Sequence, residues 1–205
     1  MLNILAIGAH PDDIEIGCGG TLLKYKDKGF SVFLLVLTDG QFGASKEVRK
    51  QEQIRSSKIL DANEVFWGGY SDTRFPLDRR SINTIEDVLR KINPQFIFVN
   101  YYDDTHQDHR YLAEATISAT RYIKNVLFYE VPTTQNFSPN VFVDINDVLE
   151  KKISLLKAHE SQVMKTNIED LSIAEIAKSS ANFRGIQGRV KYAEGFRSLR
   201  LFINM

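Results

Sequence analysis

Short apolar runs rich in β-branched and aromatic residues recur along this chain: Leu2 to Ala9, Val32 to Leu37, Val65 to Trp67, Phe96 to Val99, Val126 to Val131 and Val141 to Val143. The first, second and fourth are almost continuously apolar, the pattern of strands buried on both faces. Between the runs lie stretches long enough for helices, such as Thr21 to Lys28, Lys46 to Leu60, Ile82 to Ile92 and Arg110 to Ile123. This alternation predicts an α/β fold, Rossmann-like and doubly wound, with a mostly parallel sheet flanked by helices. From Asp144 to His159 the pattern changes: Ile145, Val148, Leu149, Ile153 and Leu156 fall at helical spacing, with Asn146 as a candidate cap. That stretch reads as a long helix packed on the sheet. The segment Arg184 to Phe202 holds three of the twelve glycines and reads as a last helix or strand. Asn136 to Asn140 reads as the clearest irregular loop.

At 205 residues, without repeats, low-complexity tracts or linkers, a single domain over 1–205 is expected. Its part from about 144 onward is expected to pack around the site. Lys plus Arg and Asp plus Glu are both 26, and no long run of one sign offers a footprint for nucleic acid or anionic lipid. The start Met1-Leu2-Asn3-Ile4-Leu5 resembles a first strand more than a signal peptide. No apolar stretch approaches the roughly 20 residues of a membrane helix. One cysteine, Cys18, excludes an internal disulfide and fits a reducing compartment. A soluble cytoplasmic protein is the expectation.

Two clusters carry chemistry. His10-Pro11-Asp12-Asp13 follows the first apolar run, and His106-Gln107-Asp108-His109 follows the fourth. In open α/β sheets ligands bind beyond the carboxyl ends of strands, and in a 3-2-1-4-5 order the first and fourth strands flank the switch point. Both clusters would then meet in one crevice. Three of the chain's four histidines lie in these clusters beside three aspartates. Two neutral imidazoles and one carboxylate form a mixed set suited to Zn²⁺ with a fourth position open, the catalytic arrangement. Either cluster alone is equally readable as turn and cap residues; two at matching strand ends are much harder to read that way.

The stretch Gly8-Ala9-His10-Pro11-Asp12-Asp13-Ile14-Glu15-Ile16-Gly17-Cys18-Gly19-Gly20-Thr21 resembles the opening of the PIG-L/LmbE family of zinc N-acetylglucosaminyl deacetylases. His106-Gln107-Asp108-His109-Arg110 is similar to its second motif, and Ala158-His159-Glu160-Ser161-Gln162 and Tyr192-Ala193-Glu194-Gly195-Phe196 to its weaker C-terminal blocks. The resemblance implies His10, Asp13 and His109 as ligands of one zinc ion per subunit, and Asp12 as general base. It implies His106 at the oxyanion or leaving group, with Asp108 orienting it. Arg49 corresponds to a substrate-facing arginine and Asp72 to an acceptor for sugar hydroxyls; on the residues alone Arg49 reads as a solvated helix residue and Asp72 as a turn residue. Gln107 stands where the family usually has Pro, and Gln41 where it often has Glu. Asp104 stands where some relatives carry a tyrosine, so no catalytic tyrosine is assigned.

The implied reaction is removal of the N-acetyl group from an N-acetylglucosamine-type sugar conjugate, with a small N-acetylated sugar as partner and a homo-oligomer as a possible state. Hydrolysis of another amide or a phosphoester is an alternative. A non-catalytic nucleotide-binding module is a weaker one, because Gly8-Ala9-His10 is not G-x-G-x-x-G. Cys18, in what reads as a glycine-rich turn, is expected to be a small buried thiol. His159 is expected to pack or hydrogen-bond near the site.

Overall fold

The computed structural model describes residues 2–203; Met1, Asn204 and Met205, which the expected domain span includes, lie outside the described residues. Strands β1 (Asn3–Gly8), β2 (Ser31–Thr38), β3 (Glu64–Tyr70), β4 (Phe96–Asn100) and β5 (Val126–Tyr129) alternate with helices α1 (Asp13–Asp27), α2 (Lys46–Leu60), α3 (Arg79–Ile92) and α4 (Gln107–Ala119). Then come β6 (Val141–Asp144), α5 (Leu149–Lys157), a short 3-10 turn at Glu160–Gln162, α6 (Ile173–Gly188) and β7 (Ala193–Arg200). The sheet runs β3-β2-β1-β4-β5-β7-β6. Its first five strands pair in parallel, and β7 lies antiparallel between β5 and β6. This is a single α/β domain with a mostly parallel sheet.

Because side chains alternate across a strand, β1 divides its apolar residues between two cores. Ile4 and Ala6 face a layer containing α1, α2, α5 and α6 residues. Leu5 and Ile7 face a layer built with Ile85, Val88 and Leu89 of α3 and Leu112 and Ala115 of α4. Burial on both faces is why β1, β2 and β4 are near-continuous apolar runs. Among the described residues no helix is long and apolar enough to cross a membrane.

Helix α1 starts at Asp13, eight residues before the expected Thr21, and includes the glycines expected to form a turn. Those glycines bring neighbours close to the helix. A Cβ on Gly20 would lie 2.9 Å from Ile145 Cγ2, and one on Gly19 3.2 Å from Leu155 Cδ1. In a regular α-helix the Gly20 N–H donates to the Ile16 carbonyl. Here Glu194 Oε1 accepts from Gly20 N at 2.8 Å and Oε2 from Thr21 N at 2.7 Å. Lys152 Nζ donates to the Ile16 carbonyl at 2.7 Å and pairs with Glu194 Oε1 at 2.5 Å. A buried ion pair from α5 and β7 thus clasps the helix that follows the first cluster.

Gly17 has a different neighbour: a Cβ there would lie 2.0 Å from Cδ2 of Tyr129. That ring is fully buried, its hydroxyl 2.8 Å from the Ile7 carbonyl and 3.0 Å from Asn100 Oδ1, the two oxygens that can accept its one proton, so it has no room to retreat. Gly17→Ala is expected to destabilise the fold by about 1–3 kcal/mol through overpacking, read as a lower urea midpoint at unchanged slope.

The C-terminal third differs from expectation in detail. Helix α5 covers Leu149–Lys157 rather than Asp144 to His159. Asn146 does not cap it; its side chain accepts from Tyr192 N at 3.1 Å, tying the β6–α5 turn to the start of β7. The last segment contributes both structures considered for it, the end of α6 and the inserted strand β7.

Candidate metal centre

Strands β1 and β4 pair in parallel with Ile7 opposite Val99, so the segments leaving their carboxyl ends start side by side. His10 leaves the first and His109 lies in the opening turn of α4 after the second. The turn at His10 is held by its own N–H donating to Asp13 Oδ2 at 2.9 Å, and Asp12 takes a left-handed φ of 100° to complete it. The Asp12 N–H donates to Gln53 Oε1 at 3.3 Å, and Gln53 Nε2 donates to the buried Glu15 at 2.6 Å. A non-glycine residue in that conformation persists where its surroundings over-determine it.

Three donor atoms converge. His10 Nδ1 lies 3.2 Å from His109 Nε2 and 3.5 Å from Asp13 Oδ2, and His109 Nε2 lies 3.2 Å from the same carboxylate oxygen. Ligands about 2.0–2.1 Å from a tetrahedral zinc ion are separated by about 3.3 Å, so this triangle has the dimensions of three corners of such a site. The opposite ring nitrogens are oriented by further carboxylates, the usual second tier around metal-binding imidazoles. His10 Nε2 meets Asp72 Oδ1 at 3.0 Å and Asp108 Oδ2 at 3.2 Å, and His109 Nδ1 meets Asp104 Oδ2 at 3.1 Å.

The electrostatics favour a cation. Burial alone would push His10 down, but hydrogen bonds to Asp108, Asp13 and Asp72 hold it well above its ordinary value. His109 is likewise opposed by burial and raised to about 9 by Asp13 and Asp104. Burial would push Asp13 up, yet His109 and His10 hold it well below the usual carboxylate range. Four carboxylates around two imidazoles leave an excess of buried negative charge. Without a metal, protons on the rings offset it; a metal would displace those protons. The buried His/Asp cluster could therefore bind a metal ion. The nitrogens of His10, His106 and His109 also lie within 4.8 Å of one another.

A cleft of about 360 Å³ opens onto the cluster, lined by His10, Asp12, Asp13, Arg49, Asp72, His106 and His109. Of the eight residues singled out in the sequence, only Asp108 lies behind this wall. Burial raises the Asp12 carboxyl, with Arg49 and His159 opposing. Arg49 is buried rather than solvated, its Nη2 3.3 Å from Asp12 Oδ2 and its Nη1 3.7 Å from Glu52. Both Asp72 oxygens already have partners, His10 on one side and the Phe42 N–H at 3.3 Å on the other.

The expected Asp108–His106 pairing takes another form. The Asp108 carboxylate accepts from Thr73 N at 2.7 Å and Phe75 N at 3.2 Å and faces His10, not His106. It is the Asp108 backbone N–H that donates to His106 Nδ1, at 3.2 Å. Burial and the neighbouring imidazoles push His106 below its ordinary value, so the neutral ring with its proton on Nε2 is the form favoured there. Cys18 is fully buried and burial pushes its thiol well up, as befits a packing residue. His159 is buried 3.6 Å from Glu15. Sequence reasoning passed over Asp104 and Gln53. Asp104 stands out in the sequence only as the absence of a tyrosine, and nothing in the spacing of Gln53 signals its contact with Asp12.

The fold and this cluster define an α/β protein with, at the sheet's switch point, a buried histidine–aspartate cluster that could bind a metal ion. Residues 5–120, spanning both clusters, match the model of the PIG-L family, GlcNAc-PI de-N-acetylase. The chain belongs to the PIG-L de-N-acetylase family. It is 35% identical over 168 residues to an uncharacterized deacetylase of Escherichia coli, covering 78% of this chain and 91% of that one. It is 31% identical over 228 residues to the diacetylchitobiose deacetylase of Thermococcus kodakarensis, covering 95% and 82%. A conserved protein of Thermus thermophilus superposes with a TM-score of 0.89 at 26% identity, covering 100% and 98%. A more distant relative, 21% identical over 238 residues, is the 4-oxalmesaconate hydratase of Pseudomonas putida, covering 96% of this chain and 89% of that one.

Proposed function

We propose that this chain is a zinc-dependent deacetylase that hydrolyses the N-acetyl group of an N-acetylglucosamine-type sugar conjugate, releasing acetate and a free amine. The observation that carries this reading is the triangle of His10 Nδ1, Asp13 Oδ2 and His109 Nε2 at the floor of an open cleft. These three residues would hold the ion. When bound, zinc supplies polarisation of the amide carbonyl and acidification of a water molecule.

The remaining roles fall to the chain's own groups. Asp12, beside Asp13 on the cleft wall, takes a proton from the water that adds to the carbonyl carbon. Its raised pKa suits a base that later returns the proton. Its carboxylate is steadied by Arg49 and its backbone by Gln53. His106, with Nδ1 occupied by the Asp108 N–H, presents Nε2–H as a donor to the developing oxyanion. As the carbon–nitrogen bond breaks, the amine nitrogen takes up the proton that the water gave, and the acyl group leaves as acetate. Asp72 and Asp108 act in this reading on His10 rather than on a sugar hydroxyl, and Arg49 acts on Asp12.

The test is acetate release from N-acetylglucosamine conjugates with and without a chelator. Release that chelation abolishes and zinc restores is the expected result. Release untouched by chelation, or turnover only of phosphoesters in the same panel, would overturn the proposal. The likeness to a hydratase supports a second reading, addition of water to an unsaturated acid. It would show as consumption of such acids without acetate. The outer carboxylates offer a separate check: Asp104→Asn is expected to weaken zinc binding about 10- to 100-fold, measured by competition with a chromophoric chelator.

A further inference from the structure

The left-handed φ of Asp12 is costly for a residue with a side chain, and it is held from another element: the Asp12 N–H donates across to α2, where Gln53 Oε1 accepts at 3.3 Å. A glutamine can present either end of its amide, a donor or an acceptor. At Gln53 the choice is forced, because its Nε2 meets Glu15 Oε1 at 2.6 Å and an ionised carboxylate only accepts. Turning the amide over would set oxygen against oxygen at Glu15 and N–H against N–H at Asp12. Glu15 Oε1 is itself pinned by the Ser56 hydroxyl, which donates to it at 2.8 Å.

Glu15 is fully buried, and a buried carboxylate stays ionised only with a counter-charge nearby. That charge comes from the far end of the chain. His159, 1% exposed, places Nε2 3.6 Å from Glu15 Oε1, beyond hydrogen-bond length but within reach of an ion pair. Burial would push the ring down, yet Glu15 raises it above its ordinary value. Neither ring nitrogen makes a hydrogen bond among the described residues, so the imidazole acts on Glu15 through its charge. Its place is fixed on both flanks by α2. Arg55 Nη2 donates to the Ala158 carbonyl at 3.2 Å, and Ser161 donates to the Glu52 carboxylate from N at 2.7 Å and from Oγ at 2.8 Å.

We propose that His159 is a positioning residue for Asp12, acting through Glu15 and Gln53. The imidazole keeps Glu15 an acceptor, Glu15 keeps the Gln53 oxygen turned toward Asp12, and that oxygen holds the backbone turn from which the base reaches the cleft. His159 is not among the residues that line the cleft, so its effect has to travel through these two side chains. The proposal rests on the deacetylase reading for the work that Asp12 does, and its test therefore starts from a measurement that needs no turnover. His159→Gln keeps a polar side chain and removes the charge. Gln53→Met removes the acceptor at similar length, and Glu15→Gln frees the Gln53 amide to turn over.

Deuterium exchange of the Asp12 amide is followed by NMR in wild type and the three variants, with the amides of Ala6 and Ile7, paired within the sheet, as references. Each variant is expected to speed exchange at Asp12 about three- to tenfold, the contribution of one hydrogen bond, and to leave the references unmoved. The double variant His159→Gln with Gln53→Met is expected to exchange no faster than Gln53→Met alone, since both act on one bond. Unchanged Asp12 exchange in His159→Gln, or equal acceleration of all three amides, would overturn the proposal; Glu15→Gln gives the same reading should His159→Gln not fold. With zinc, kcat for acetate release is expected to fall about three- to tenfold in His159→Gln, by loss of that same hydrogen bond, at unchanged KM and zinc affinity. Wild-type kcat in His159→Gln despite faster Asp12 exchange would overturn the positioning role and leave the deacetylase standing. Asp12 exchange altered as expected, with no acetate from any protein, would support the relay and overturn the deacetylase.

Discussion

Replacing Asp12 with alanine is expected to leave zinc bound and remove nearly all turnover, whereas replacing His109 with alanine is expected to remove both. The two outcomes differ because the side chains do different work within a few ångströms. His109 supplies one corner of the donor triangle, with Nε2 3.2 Å from both His10 and Asp13. Without it, two donors remain at a centre whose protein set needs three. Asp12 is no part of that triangle. It stands on the cleft wall with Arg49 beside it, and losing a general base costs about 100- to 10,000-fold in rate. Metal analysis of both purified variants beside their rates of acetate release makes the comparison. An Asp12→Ala protein with near-normal turnover would remove the proposed base. A His109→Ala protein with a full complement of zinc would remove the proposed ligand.

The second large effect is on stability. Glu194→Ala leaves the Lys152 ammonium buried without its counter-charge, and also strips partners from Gly20 N and Thr21 N in α1. Breaking one side of a buried pair costs about 3–5 kcal/mol, comparable to much of a small domain's net stability. Urea unfolding should show that loss. The double variant Lys152→Met with Glu194→Gln should recover a large part of it, since no unpaired charge remains. A single variant within about 1 kcal/mol of wild type, the size of an ordinary substitution, would mean that the clasp contributes little.

The mostly parallel sheet was legible from one-dimensional signals, and its first five strands take the common order under which the two clusters meet. Runs buried on two faces announce a parallel sheet, and a parallel sheet dictates where its loops converge. The start of α1 was not legible, because three glycines in four residues signal a turn locally; the close approach of Tyr129, Leu155, Ile145 and Glu194 gives them a place in a helix. Helix α6 carried a readable sign that went unused, the capping box of Ser172 and Glu175. The insertion of β7 between β5 and β6 had no such sign, since strand neighbours far apart in sequence leave no local trace. At the site, residue types disclosed the donors but not their partners. That Asp108 faces His10, and that Asp104 faces His109, depends on angles no spacing encodes.

The clasp on α1 also sets an order of events during synthesis. Glu194 and Thr21 are 173 residues apart, and at roughly 5–20 residues per second a ribosome needs about 10–35 s to make the stretch between them. Throughout that interval the helix bearing Asp13 has been translated while its clasp has not. The zinc capture proposed for this cluster should therefore come late, after the final strand has been made, although His10 and Asp13 are among the earliest residues to emerge.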